Sequence, residues 1–195
     1  MGNLRSVQKA LESVGLAGEV TSNEKIISTA PAVILPGVGA FEDAMANLTR
    51  TGLIPIIREV VAKGTPFLGI CLGMQLLFST SEENGLHQGL NLLPGTVKRL
   101  PPGLKVPHMG WNQLVIRKEE PMLKGVNDGD YFYFVHSYYV QPEDDDVIIA
   151  ASDYGFEFPA LVGRDNLMGI QFHPEKSSNL GLQILKNFGE MVNQC

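Results

Sequence analysis

Cysteine is scarce in this chain: only Cys71 and Cys195 occur, too few for a disulfide framework. That usage fits a reducing compartment, and a cytoplasmic setting is the expectation. No apolar run approaches the length of a membrane span, and the N-terminus has no signal-peptide core. Metal-ligand clusters and phosphate-loop motifs are missing, so no tightly bound metal or cofactor is expected. Basic residues are outnumbered, 15 against 21 acidic, and the formal charge of −6 weighs against a general nucleic-acid binder. A local basic patch is still compatible with it. Internal repeats, low-complexity tracts and long linkers are absent as well. With 44% hydrophobic and 18% charged residues, the 195-residue chain fits one compact globular domain, residues 1–195. Met1–Ser6 matches a myristoylation template and Asn47-Leu48-Thr49 a glycosylation acceptor, but templates this short arise by chance.

What is present is an alternation of apolar runs and helical patterns. Leu4, Val7, Leu11 and Val14 have helical spacing, closed by Gly15 as a C-terminal cap. Ala32 to Leu35 reads as a buried parallel strand emptying into Pro36-Gly37-Val38-Gly39. Helical segments follow at about residues 40–50 and 54–63, then a strand from Phe67 to Ile70 and a helix to about Ser79. Beyond Ser81 strands dominate: residues 96–100, 114–117, 131–140, 147–151 and 160–172, with a turn at Arg164-Asp165-Asn166. Residues 179–192 form a closing amphipathic helix. The expected fold is α/β, a single domain with a largely parallel central sheet flanked by helices and antiparallel strands in the C-terminal half.

The chemistry concentrates at Gly69-Ile70-Cys71-Leu72-Gly73. A cysteine with glycine two residues away on each side, between an apolar strand and a helix, has the pattern of a nucleophile elbow. The strained turn leaves no room for side chains at the flanking positions. It also puts the sulfur at a helix N-terminus, which favours thiolate. A buried structural cysteine in a glycine-rich turn would use the same residues.

A cysteine nucleophile needs a base, and the base needs an orienting acceptor. Gln171-Phe172-His173-Pro174-Glu175 supplies both types at the end of a strand. Pro174 favours an extended His173, and residues two apart in extended chain face the same side, so His173 and Glu175 become neighbours. On its own the segment could equally be a surface turn. The Pro36–Gly39 loop offers unobstructed backbone N–H groups for an oxyanion hole. One donor is assigned near Val38 or Gly39 and the other to Leu72.

Taken together, these motifs resemble the class I (triad-type) glutamine amidotransferases. Within that family the similarity is greatest to the glutaminase subunits of imidazole glycerol phosphate synthase, through Gly2–Val7, Pro36–Gly39, His108-Met109-Gly110-Trp111-Asn112, His136-Ser137-Tyr138-Tyr139 and Gln171–Ser177. The resemblance covers nearly the whole chain. It implies glutamine hydrolysis through a glutamyl thioester on Cys71, with His173 as proton shuttle and Glu175 as its orienter. It also implies glutamine binding by Gly37, Gln75, Ser137 and Tyr138. The ammonia would pass to a (β/α)8-barrel synthase subunit in a heterodimer, touching Trp111, Tyr133 and Lys176. Core packing would account for the two aromatics, and a solvated charge for Lys176, without any partner. Family members usually open with an apolar strand ahead of the segment matched by Met1-Gly2-Asn3. That strand is apparently missing, and reduced stability relative to a chain extended upstream is expected. Competing readings are a glutaminase serving another acceptor, of anthranilate or carbamoyl phosphate type, an inactive interaction module, and a cysteine peptidase.

Overall fold

A computed structural model describes residues 4–192. The expectation about the start of the chain falls on Met1–Asn3 and, like Cys195, lies outside the described residues. Helix α1 (Leu4–Ser13) buries Val7 and Ala10 and ends as its spacing predicts. Gly15 adopts φ 80°, Leu16 N–H reaches the Leu11 carbonyl at 3.0 Å, and Gly15 N–H the Glu12 carbonyl at 3.0 Å. That is the paired closure of a Schellman motif. A short helix that periodicity does not reveal, α2 (Glu24–Thr29), starts where Asn23 accepts the Lys25 N–H.

Strand β1 (Val33–Gly37) runs into α3 (Phe41–Arg50) and α4 (Leu53–Ala62). Strand β2 (Phe67–Cys71) follows, then α5 (Leu72–Leu76), shorter than the helix expected to reach Ser79. The reason lies downstream: Leu90 N–H takes the Leu76 carbonyl, while Leu92 and Leu93 N–H groups both take that of Leu77. Helical continuation would compete for the same acceptors. The chain instead enters β3 (Phe78–Ser81), β4 (His87–Gln88) and β5 (Leu93–Arg99). Next come β6 (His108–Gln113), β7 (Val115–Ile116), β8 (Tyr131–His136) and β9 (Tyr138–Pro142). The apolar run 131–140, read as one strand, therefore breaks at Ser137, and its halves join different sheets. Strands β10 (Ile148–Asp153), β11 (Glu157–Arg164) and β12 (Leu167–Ile170) precede the final helix α6 (Ser178–Val192).

The central sheet has the order β1-β2-β12-β11-β10-β7. The α/β expectation holds, with parallel pairing confined to β1, β2 and β12 and antiparallel strands extending the sheet. β2 is buried along its whole length, as expected of a strand covered on both faces. Its alternate residues enter two apolar cores: Leu68 and Ile70 pack toward Phe172, Leu185 and Phe188, while Phe67 packs toward Ile57 and Val60. Each of these large side chains contributes about 1.5–3 kcal/mol on burial. The expectation of a buried strand at Ala32–Leu35 needs correction. β1 pairs with β2 alone among the described residues and is only half-buried, because a sheet edge has one neighbour. A second sheet has the order β4-β3-β5-β9, and β6 and β8 form a two-stranded ribbon that brings the Val135 carbonyl to 3.9 Å from the Cys71 sulfur at the end of β2.

Candidate active site

Cys71 closes β2 and caps α5 with φ 54° and ψ −112°, a conformation that side-chain-bearing residues rarely adopt. The flanking glycines make this turn sterically possible. A Cβ on Gly73 would stand 1.7 Å from the Leu35 carbonyl oxygen, and one on Gly69 would stand 2.7 Å from the Gly73 oxygen. Gly37, opposite Cys71 in the parallel register, would place a Cβ 3.0 Å from Gly73 N. Here the backbones of β1, β2 and α5 touch with nothing between them. Because α5 is only five residues long, its N-terminus offers the sulfur free N–H groups but little macrodipole.

His173 hydrogen-bonds to the Cys71 side chain. Its Nδ1 lies 2.8 Å from Glu175 Oε1, so Nδ1–H donates to the carboxylate and Nε2 is left to face the sulfur. Glu175 arrives by a different route from the extended strand expected. His173 is extended, at φ −97° and ψ 100°, but Pro174–Lys176 is a 3-10 turn that folds the carboxylate back beneath the ring. The backbone of His173 is clamped too. Its N–H donates to the Tyr133 carbonyl at 2.9 Å, and its carbonyl accepts from Ser177 Oγ at 2.6 Å. Burial works against a charged imidazole here. The hydrogen bonds and charges of Cys71 and Glu175 outweigh it, raising His173 to about 9. The arrangement is that of a cysteine beside an imidazole backed by a carboxylate.

The sulfur and His173 lie on the wall of a cavity of about 340 Å³. Val38 and Gly39 line it, as do Leu72 and Gln75 from α5, with Ser137 and Tyr138 from the β8–β9 break. Gly37 does not line it but packs under the start of α5. Gly39 has φ 100° and open space where a Cβ would be. Sequence reasoning missed two neighbours. Gln171, fully buried, accepts from Gln75 Nε2 at 3.1 Å and offers its own Nε2 to the sulfur at 3.6 Å. Residues 171 and 172 are bends beyond β12, so spacing from His173 does not announce it. Glu83 lines the cavity while capping α3 through the Phe41 N–H at 2.7 Å, and no local pattern announces it.

On the outer face of the ribbon, Trp111 lies opposite Tyr133 in register, their rings edge-on at 6.1 Å. Lys176 Nζ stands 5.9 Å above the Tyr133 ring and also reaches the cavity wall. Trp111 is 52% exposed and Met109 beside it 63%. Core packing thus does not account for Trp111.

An elbow cysteine beside a carboxylate-backed histidine on a mixed α/β sheet fits the class of enzymes that work through a cysteine nucleophile. A family model described as glutamine amidotransferase class-I matches residues 1–192, and the chain belongs to that family. Among curated relatives it is similar to imidazole glycerol phosphate synthase subunit HisH of Moorella thermoacetica, 59% identical and covering 100% of this chain and 93% of that one. HisH of Caldanaerobacter subterraneus subsp. tengcongensis is 55% identical, covering 98% and 95%, and HisH of Aquifex aeolicus 54%, covering 96% and 91%. A crystal structure of a glutamine amidotransferase superposes with a TM-score of 0.77 at 19% identity, covering 98% of this chain and 95% of that one. Another glutamine amidotransferase, from Thermotoga maritima, superposes at 0.64 and 16% identity, covering 96% and 77%. At such identities the solved structures speak to the fold alone.

Proposed function

We propose that this chain is the glutaminase subunit of an imidazole glycerol phosphate synthase, with residues 1–195 acting as one amidotransferase domain. The hydrogen-bonded series Cys71–His173–Glu175 on the cavity wall carries this reading. The Cys71 thiolate attacks the side-chain carbonyl carbon of glutamine. The oxyanion is received by the N–H of Leu72 and by the Gly39 loop. His173 gives its proton to the leaving nitrogen, the C–N bond breaks, and ammonia departs from a glutamyl thioester. Water then attacks the thioester while His173 takes the proton, and glutamate leaves with the thiolate restored. Glu175 holds the imidazole in its Nδ1–H tautomer throughout. Gln75, Ser137 and Tyr138 hold glutamine above the packed Gly37, and Glu83 supplies the anion its α-ammonium group requires.

The exposed Trp111 and Lys176, with the half-buried Tyr133 between them, form the contact for a (β/α)8-barrel synthase subunit, which receives the ammonia for histidine biosynthesis in the cytoplasm. Their joining in one patch beside the cavity mouth supports this. No helix among the described residues is long and apolar enough to cross a membrane. The chemistry calls on no cofactor in this subunit. The test is ammonia release from glutamine, with and without the synthase and its nucleotide, for wild type and Cys71→Ala. Release by wild type, increased by the synthase and abolished in the variant, is expected. Inert wild type with an intact fold would leave an interaction module instead, and activation by a different synthase would mean another acceptor.

A further inference from the structure

Two buried histidines lie outside the triad. His108 on β6 and His136 on β8 are 3% and 5% exposed and face each other in register, with His108 Nδ1 2.9 Å from His136 Nε2. Their proton positions follow from the groups at either end. His136 Nδ1 lies 2.9 Å from the Tyr138 carbonyl, which only accepts, so Nδ1 carries the proton and Nε2 is an acceptor. His108 Nδ1 must then donate, and its Nε2 must accept. Asn112 Nδ2 stands 3.3 Å from that Nε2, its own orientation settled by a 2.7 Å bond to the Asp153 carbonyl. Every bond therefore points the same way, from Asn112 through both rings to Tyr138.

The receiving carbonyl matters. Tyr138 O also accepts Gln75 Nε2 at 3.0 Å, and the same nitrogen donates to Gln171 Oε1. That orients Gln171 so that its amide N–H groups face the Cys71 sulfur. Aromatic packing holds the rings still: His108 stacks on Tyr154 at 4.0 Å, and His136 lies 5.0 Å from the Phe158 ring. Burial pushes His108 down and His136 down to about 3, so both rings stay neutral and each keeps an acceptor nitrogen.

We propose that His136, backed by His108, is a positioning residue for glutamine: a one-way relay that fixes the Tyr138 carbonyl, the Ser137–Tyr138 cavity wall and the Gln75 amide. This rests on the glutaminase reading above. Its test compares His136→Phe, which keeps the ring shape without a donor, with His136→Asn, whose Nδ2 replaces Nδ1–H. Both are assayed as glutaminases in the complex with the synthase subunit. The Phe variant is expected to raise KM for glutamine about tenfold with a smaller change in kcat, and the Asn variant to return KM to within about threefold. An unchanged KM in the Phe variant, or equal impairment of both, overturns the proposal. Should the Phe variant not fold, long-range 1H–15N spectra of the wild type decide. Protons on Nδ1 of both rings are expected, and an Nε2–H form of either ring overturns it. Wild type that releases no ammonia refutes the glutaminase reading, whereas the spectra judge the relay independently.

Discussion

The carbonyl of Tyr133 accepts the backbone N–H of His173 at 2.9 Å, and the Tyr133 N–H in turn donates to Ser177 Oγ at 2.9 Å. One residue of the β6–β8 ribbon therefore holds the histidine of the candidate active site on both sides of its peptide. Ser177→Ala removes the hydroxyl that bridges the two and leaves a buried carbonyl and N–H without it. Stability should fall by about 1–3 kcal/mol, and kcat should fall with it, as read by urea unfolding and glutamine turnover.

Gly73→Ala tests the elbow. The new methyl would meet the Leu35 carbonyl oxygen at 1.7 Å, a clash of a fixed Cβ against backbone that no rotamer relieves. A loss of about 3 kcal/mol or more is expected, seen as a drop in Tm or in soluble yield. Gly39→Ala, with open space but φ 100°, should cost less, of order 1 kcal/mol.

Glu175→Gln keeps the volume beneath the imidazole but removes the charge that favours its protonated form. Turnover of glutamine should fall about 10²- to 10⁴-fold, with KM changing little and the circular dichroism spectrum unaltered.

The same pair predicts how stability varies with pH. Folding raises His173 from about 6.5 to about 9, so the folded state binds its proton more tightly than the unfolded chain. The contribution is fully present below pH 6.5 and disappears as pH rises through 9. Its loss should amount to about 1–3 kcal/mol in urea titrations. Glu175→Gln should flatten this slope, and an equally steep slope in the variant would contradict the assignment.

Trp111→Ala removes an exposed ring that packs against Tyr133 without filling the core. Melting temperature should change little, while affinity for the synthase subunit should weaken by about 1–3 kcal/mol in titration calorimetry.

Some of this molecule is legible locally. The Gly69–Gly73 pattern states its own steric requirement, and Val7 and Gly15 announce where α1 packs and ends. Periodicity says nothing about competition for carbonyls, which is why α5 stops at Leu76 when residues 90–93 take its acceptors. Nor does an apolar run show where a chain changes sheets, as 131–140 does at Ser137. The pairing of His173 with Glu175 was readable from residue types, but the turn that achieves it was not.

By itself the sequence marked Cys71, His173 and Glu175 as candidates for nucleophile, base and acceptor, because those residue types, flanked by glycine and proline, suit that chemistry together. It also determined the alternating strands and helices that set them at strand ends. Tertiary structure alone decided that Gln171 would face the sulfur, that His108 would meet His136, and that Trp111, Tyr133 and Lys176 would share one surface. The physical reason is range: backbone preferences act over a few residues, whereas hydrogen bonds and ring contacts form between segments brought together only by burying the sheet.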